Sequence, residues 1–438
     1  MPHAITHKVK KARRAVVVAG NRTPFVRAFG SLMKLDAIDL GAASVQGLLE
    51  RTELAHAEID RIVWGGVVLP PGAPNVGREI ALDVGLPRDV DAYTVSRACA
   101  TGMQSVVDAA AAIERGEADV VIAGGGDSTS NAVVPLPAKL IQAVAPVAMS
   151  SKSTWKDWLG VVSQLTPISE VLPRRPKIAE RTTGEVMGEA CERMAKRSGI
   201  TREAQDKYAA TSHHRAAQAL ADGRFDDELS PVAREGREPV FADDLIRADT
   251  SAEKLAKLRP VFDRKDGTLT AGNSSALTDG AGAVLLMSAE KAKALGYTPL
   301  AAFRSWSFVG VDPADQLLIG PALAMPAALA RAGMELADIG VVEMHEAFAA
   351  QVLCVLKALG SPAFARERLG RDGAVGQVDP AKLNPLGGSL ALGHPFAATG
   401  ARMVTTASHQ IARGDAQAAL LGICAAGGLG AAAVLEAV

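Results

Sequence analysis

The chain has 438 residues and carries 47 lysines plus arginines against 48 aspartates plus glutamates with no large basic stripe, a balance that argues against nucleic acid or an anionic membrane as a partner. That length supplies ample core for two or three domains, so neither disulfides nor a metal is needed for folding. Four cysteines at 99, 191, 354 and 424 form no CxxC pair, no secretory apolar segment opens the sequence, and no charge-free apolar run of roughly eighteen residues occurs, which predicts a reduced, cytoplasmic, globular protein without zinc ribbon, disulfide framework or membrane span.

Along the chain, the basic run KVKKARR (8–14) reads as a solvated tail ahead of the buried-type strand AVVVAG (15–20). Further short β-type runs, RIVWGGVV (61–68) and DVVIAGGG (119–126), alternate with Ala-rich stretches of helical period such as Met103, Val106, Val107, Ala110 and Ile113. Alternation of this kind predicts an α/β fold with a substantially buried sheet. Between 151 and 260, 37 of 110 residues are charged, against 58 of 328 elsewhere, and this stretch reads as an inserted, more solvent-facing domain or lid of helix and loop. AGGGDS (123–128) lacks the GxGxxG frame, so NAD binding has only weak support.

The chain also resembles itself. ATG at 100–102 leads to RGEADVVIAGG, and ATG at 398–400 leads to RGDAQAALLGI at the same interval, an offset of 298; HAEIDRIVW (56–64) pairs with LADIGVVEM (336–344) at an offset of 280. Matched stretches in the same order favour duplication over chance in an Ala/Gly-rich chain, with the extra residues of the second copy expected within 360–380. Duplicated α/β halves pack about a pseudo-twofold axis, which would bring equivalent elbows together: VSRACATGM with Cys99, and GHPFAATG with His394 three residues before the position equivalent to Cys99.

A cysteine at a helix N-terminus has its thiolate favoured by the dipole and by free N–H groups, and a nearby imidazole can take its proton. Most lone cysteines are small buried hydrophobes, but the small residues around Cys99 leave room for a substrate. Gly387, Gly388, Gly393 and Pro395 constrain the backbone around His394, as a rigid general base requires. His345 follows an apolar strand at the opening of a helix, and Cys424 follows another strand ahead of the glycines of CAAGGLG; strand C-termini in such sheets hold ligands. Beside them, Glu346 reads as a helix cap in preference to a loop-orienting group. His56 and His409 read as capping or core residues, His213 and His214 as surface residues. Two thiols and two imidazoles without an acidic ligand set do not resemble a metal site, so no metal is expected.

Taken together, SRACATGMQS, TAGNSSALTDGAGAV (270–284), HEAFA (345–349), GGSLALGHPFAATGAR (387–402) and CAAGGLG (424–430) closely resemble the thiolase family over nearly the whole chain. The resemblance implies duplicated βαβ halves in a five-layered αβαβα core with an inserted loop domain: a first half over 1–135 completed by 261–297, the insertion at 136–260, and a second half over 298–438. It implies thiolytic cleavage of a 3-oxoacyl-CoA by CoA, a reversible Claisen reaction, with Cys99 as nucleophile, His394 as its base and Cys424 as the second acid/base. His345 and His394 would stabilise the enolate, the N–H groups of Cys99 and Ala426 the other oxyanion, and Ser275 would contact the pantetheine arm. CoA is then a co-substrate, and no further cofactor is implied.

HEAFA in place of an Asn-containing motif, and Ala426 in place of Gly, resemble the branch of fatty-acid oxidation thiolases, implying a homodimer or homotetramer and pairing with a hydratase/dehydrogenase subunit. The alternatives are a short-chain acetoacetyl-CoA thiolase, a carrier-protein-dependent condensing enzyme, against which Cys424 speaks, and a non-catalytic thiolase-fold lipid carrier, against which the filled reactive positions speak.

Overall fold

The computed structural model describes residues 13–134, 136–170, 172 and 179–438. Of the basic run at 8–14, residues 8–12 lie outside the described residues; Arg13 and Arg14 are ion-paired with Asp119 and Glu436 instead of extending as a solvated tail. Among the described residues, no helix is long and apolar enough to cross a membrane.

Two compact units are present, one comprising residues up to 131 together with 180–438, the other 132–179. In the larger unit, nine main strands lie in one sheet: β1 (Ala15–Arg22), β2 (Arg61–Gly65), β3 (Asp91–Val95), β4 (Val120–Ser128), β5 (Thr278–Ser288), β6 (Ala301–Gly310), β7 (Val341–Met344), β8 (Ala418–Ala425) and β9 (Leu429–Glu436). Their order is β7-β8-β9-β6-β1-β5-β4-β2-β3, and a two-residue strand at Val26–Arg27 pairs with β5. The order is a repeat. β3-β2-β4 are parallel and β4-β5-β1 antiparallel in the first half; in the second, β7-β8 are parallel and β8-β9-β6 antiparallel. A parallel bridge from Leu383 to Val342 stands where β3 would be. Within the sheet, β1 and β6 join the halves through the pairs Val16–Ala302 and Val17–Ala301.

The offsets read from the sequence are visible in space. β4 begins at Val120 and β8 at Ala418, and the 3-10 turn His56–Glu58 recurs as Leu336–Asp338. The link from helix to outer sheet edge runs over 84–90 in the first half and over 360–382 in the second, which is where the additional residues lie.

Helices cover both sheet faces. α1 (Ala37–Thr52) and α2 (Val76–Asp83) bury Leu40, Leu48 and Ile80 against Trp64 on the outer face of the first half. The Asp36 carboxylate starts α1 by accepting from the N–H groups of Ile38 and Asp39, while Asp39 accepts from the N–H of Asp36. α8 (Pro321–Ala332) and α9 (Ala349–Leu359) do the same on the second half with Met325, Leu329, Val352 and Val355. Between the half-sheets lie α3 (Thr101–Arg115) and α10 (Ala397–Ala412), whose Met103, Ile113, Met403 and Val404 share one buried cluster with Val121 of β4 and Leu421 of β8. Neighbouring residues point the other way, Ile122 into the first outer cluster and Leu420 into the second. Five layers result, and coverage on both faces explains why these strands are nearly continuous apolar runs.

The charge-rich stretch does not form one separate domain. Only 132–179, with helices α4 (Ala138–Ala148) and α5 (Trp155–Gln164), stands as its own unit; α6 (Met187–Ser198) and α7 (Arg202–Ala221) belong to the larger one and bury Cys191, Met194, Ser212 and His213. Charge density misleads here because an amphipathic helix keeps its charges on one face while the other packs. His213, expected at the surface, is accordingly buried and accepts from the N–H of Arg247, whereas His214 is exposed and bonds the Thr250 carbonyl.

Candidate active site

β3 delivers the chain to an elbow at 96–100, from which α3 starts. The turn is closed by Thr101, whose hydroxyl donates to the Ala98 carbonyl and accepts from the Arg97 N–H, each at 2.6 Å. Ala98 has φ 45°, and Phe396, its counterpart at the offset of 298, has φ 31°. Both are strained positions for residues with a Cβ, and both make the chain turn abruptly into the central helix. The two helices meet at equivalent glycines: a Cβ on Gly102 would stand 2.1 Å from the Ala397 carbonyl oxygen, and one on Gly400 2.2 Å from the Met103 nitrogen. Only glycine permits this approach, which brings the two elbows together.

Cys99 Sγ and one ring nitrogen each of His345 and His394 lie within 4.8 Å of one another. The imidazole centroids are 4.1 Å apart. Each ring is held from behind, His345 Nδ1 by Ser389 Oγ at 2.9 Å and His394 Nδ1 by Thr399 Oγ1 at 2.7 Å. That leaves both Nε2 atoms buried and without a hydrogen-bond partner, the arrangement expected of groups whose partner is a transient proton or substrate oxygen. A sulfur and two nitrogens within 4.8 Å of one another are donors of a kind zinc accepts.

One loop holds both histidine segments in place. Ser275 N–H donates to Ala347 O, and Ala349 N–H to Asn273 O, tying 273–275 to the HEAFA segment; His394 N–H donates to Ala276 O, tying the next residue to the GHP segment. Ser275, half-buried, therefore stands between the two histidine loops. Cys424 is the penultimate residue of β8; burial holds its pKa well above the ordinary thiol value, and it lies close enough to Cys99 that a charge there raises it further. Beyond it, Gly427 (φ 84°) and Gly428 (φ 67°) form the tight turn into β9, and the Ala426 N–H points at the Cys99 sulfur.

Electrostatically the site is neutral at rest. Cys99 is the only cysteine not fully buried, yet burial of its sulfur pushes the thiol up to about 11, outweighing the N–H groups of Ala426 and Cys99 that favour the thiolate. The expectation that the helix terminus would favour the thiolate is therefore overturned by desolvation. Burial, with the Arg402 charge adding to it, lowers His394 to about 3, and His345 is held well below its ordinary value by burial and by His394. Arg402 is itself paired with Glu343 at 3.2 Å, both nearly inaccessible.

Glu346 does not cap α9, whose N-cap is Phe348 with no side-chain hydrogen bond. Its buried carboxylate instead accepts from Tyr208, Ser212, Asn384 and Leu390. Tyr208 and Ser212 were not singled out from the sequence: the helical spacing of α7 marks a buried face, but nothing local says what that face meets.

The family model for the thiolase N-terminal domain matches residues 15–290, and that for the thiolase C-terminal domain matches 297–437. A 3-ketoacyl-CoA thiolase of Escherichia coli is 46% identical over 429 residues, covering 98% of both chains, and one of Citrobacter koseri is 46% identical over 438 residues, covering all of both. Among solved structures, human mitochondrial 3-ketoacyl-CoA thiolase (TM-score 0.81, 31% identity, 97% of this chain and 99% of that one) and Bacillus anthracis acetyl-CoA acetyltransferase (TM-score 0.81, 32% identity, 98% and 99%) share the fold. With both halves matched by family models and full-length relatives at this identity, the chain belongs to the thiolase family.

Proposed function

We propose that this protein cleaves 3-oxoacyl-CoA with CoA to acetyl-CoA and a shortened acyl-CoA, in fatty-acid β-oxidation, through an acyl thioester on Cys99. The observation that carries the reading is the grouping of one accessible thiol with two unpartnered imidazole nitrogens in a chain whose full-length relatives bear the name 3-ketoacyl-CoA thiolase.

In the proposed sequence, His394 Nε2 takes the Cys99 proton, which requires Nδ1–H to donate to Thr399. The thiolate adds to the 3-keto carbon, and the resulting oxyanion is met by the N–H groups of Cys99 and Ala426. As the C2–C3 bond breaks, its electron pair passes into the enolate of acetyl-CoA. That enolate oxygen accepts from His394, now an imidazolium, and from His345, whose Nε2–H requires Nδ1 to accept from the Ser389 hydroxyl. Cys424 S–H protonates C2. CoA then gives its thiol proton to the Cys424 thiolate and attacks the thioester; Cys99 leaves as thiolate and recovers its proton from His394. Ser275, between the two histidine loops, is assigned to the pantetheine arm.

Incubation with CoA and 3-oxoacyl-CoAs of short, medium and long chain, with the products separated by chromatography, tests the reading. Cleavage of several lengths is expected; no cleavage of any would sink it, and cleavage of acetoacetyl-CoA alone would select the short-chain enzyme. The proposal extends to a cytoplasmic homodimer or homotetramer that pairs with a hydratase/dehydrogenase subunit. Four unpaired thiols support a reducing compartment, and sedimentation of the protein alone and with that subunit tests the assembly.

A further inference from the structure

Glu346 is inaccessible to solvent and adjacent in sequence to His345. Its Oε1 accepts from Tyr208 Oη at 2.8 Å and Asn384 Nδ2 at 2.7 Å; its Oε2 accepts from Ser212 Oγ at 2.7 Å and the Leu390 N–H at 3.0 Å. Two donors come from α7 and two from the loop that carries Ser389 and His394. This loop lies directly on the carboxylate: a Cβ on Gly388 would stand 2.5 Å from the Glu346 carboxyl carbon, and one on Gly387 2.6 Å from the Ser212 carbonyl oxygen. The Gly388 N–H also donates to Ser212 Oγ. Asn384 fastens the other end, with Oδ1 accepting from the Met344 N–H at 2.7 Å and Nδ2 donating to the Met344 carbonyl at 2.8 Å, so the strand that delivers His345 is joined to the same group. Ser389, between Gly388 and Leu390, is the residue that holds His345 Nδ1.

We propose that Glu346 is a positioning residue that locks the His345 strand and the Ser389–His394 loop to α7, so that one buried carboxylate sets the spacing of the two imidazoles. Gly387 and Gly388 then serve first to let the loop reach that carboxylate. Both carboxylate oxygens are required to accept. The Tyr208 and Ser212 hydroxyls can turn to accept, but the Asn384 amide, oriented by Met344, and the Leu390 N–H cannot. Each carboxylate oxygen thus faces one donor that has no alternative, and glutamine in either orientation sets N–H against N–H. The helical segment of the charge-rich stretch is in this way part of the catalytic support.

The activity readouts rest on the thiolase reading. Glu346→Gln and the double variant Tyr208→Phe/Ser212→Ala are compared with wild type in thiolysis, in the end-point stoichiometry of Cys99 acylation, which counts competent sites, and in thermal unfolding. For Glu346→Gln, kcat falls about 100-fold with KM within about threefold and an undiminished end-point stoichiometry of Cys99 acylation, because the sites are all present but slow. The α7 double variant loses about tenfold in kcat by the same pattern. A folded Glu346→Gln protein with kcat within threefold of wild type overturns the proposal, as does a loss that appears as fewer competent sites with a normal rate per site. Should Glu346→Gln fail to fold, the α7 variant decides, and an unchanged kcat there overturns it. Wild type that cleaves no 3-oxoacyl-CoA counts against the thiolase reading alone; a crystal structure of Glu346→Gln then decides, and retention of the 4.1 Å ring spacing and the Ser389–His345 hydrogen bond overturns the positioning role.

Discussion

Burial raises the Cys99 thiol from an ordinary value of 9.0 to about 11 and lowers His394 from 6.5 to about 3, so across neutral pH the pair is thiol and neutral imidazole, not thiolate and imidazolium. The thiolate fraction then grows with pH throughout the accessible range while His394 stays neutral. Alkylation of Cys99 by iodoacetamide is therefore expected to accelerate about tenfold per pH unit from about pH 7 to about pH 10; a plateau below about pH 8 would reveal a preformed ion pair instead. Cys424 tests the other thiol. Cys424→Ala should reduce kcat by a factor on the order of 10² to 10⁴ while acetyl-CoA still acetylates Cys99, as mass spectrometry of the intact protein would show. Undiminished turnover would remove Cys424 from the mechanism. These residues were legible in the sequence because each lies at a strand or helix end among small residues. The acidity of Cys99 was not legible, because it depends on how much water the folded site excludes.

At the scale of elements, the contact between α3 and α10 sets the site. Gly102 and Gly400 occupy equivalent places in the two ATG repeats, and each abuts backbone of the other helix, so no side-chain rotation can relieve an added methyl group. Gly102→Ala should cost about 3 kcal/mol in urea unfolding, with the two elbows moved apart and Cys99 acylation slowed; a variant of wild-type stability and activity would show that the helices have room to separate. The repeat in the sequence made the two elbows recognisable as equivalents. That α7 stands behind both histidine loops follows from packing between segments more than a hundred residues apart, which periodicity does not record.

Over the whole molecule, none of the five buried apolar clusters formed by the described residues includes a residue from 132–179. The layered core should therefore stand without that unit. Replacing 132–179 by a short flexible linker is expected to leave the thermal midpoint within a few degrees and Cys99 still open to stoichiometric alkylation, since closing a loop of changed length costs little. Collapse of the fold would show that the unit carries stability its apolar contacts do not reveal. Composition suggested a boundary of this kind but set it too wide: charge density identifies solvent-facing surface, and α6 and α7 present such surface on one side while burying the other.

The sequence by itself determined the layered α/β class and the duplication, and it marked the two thiols and two imidazoles as candidates, because apolar runs, turn glycines and reactive side chains are local properties that repeat at fixed offsets. Tertiary structure alone decided how closely these groups approach and what surrounds them. The 4.1 Å approach of His345 to His394, the neutrality of the Cys99 thiol, and the burial of Glu346 under four donors arise where α3, α7, α10 and the ends of β7 and β8 exclude water together, and desolvation and donor geometry exist only once those elements are in contact.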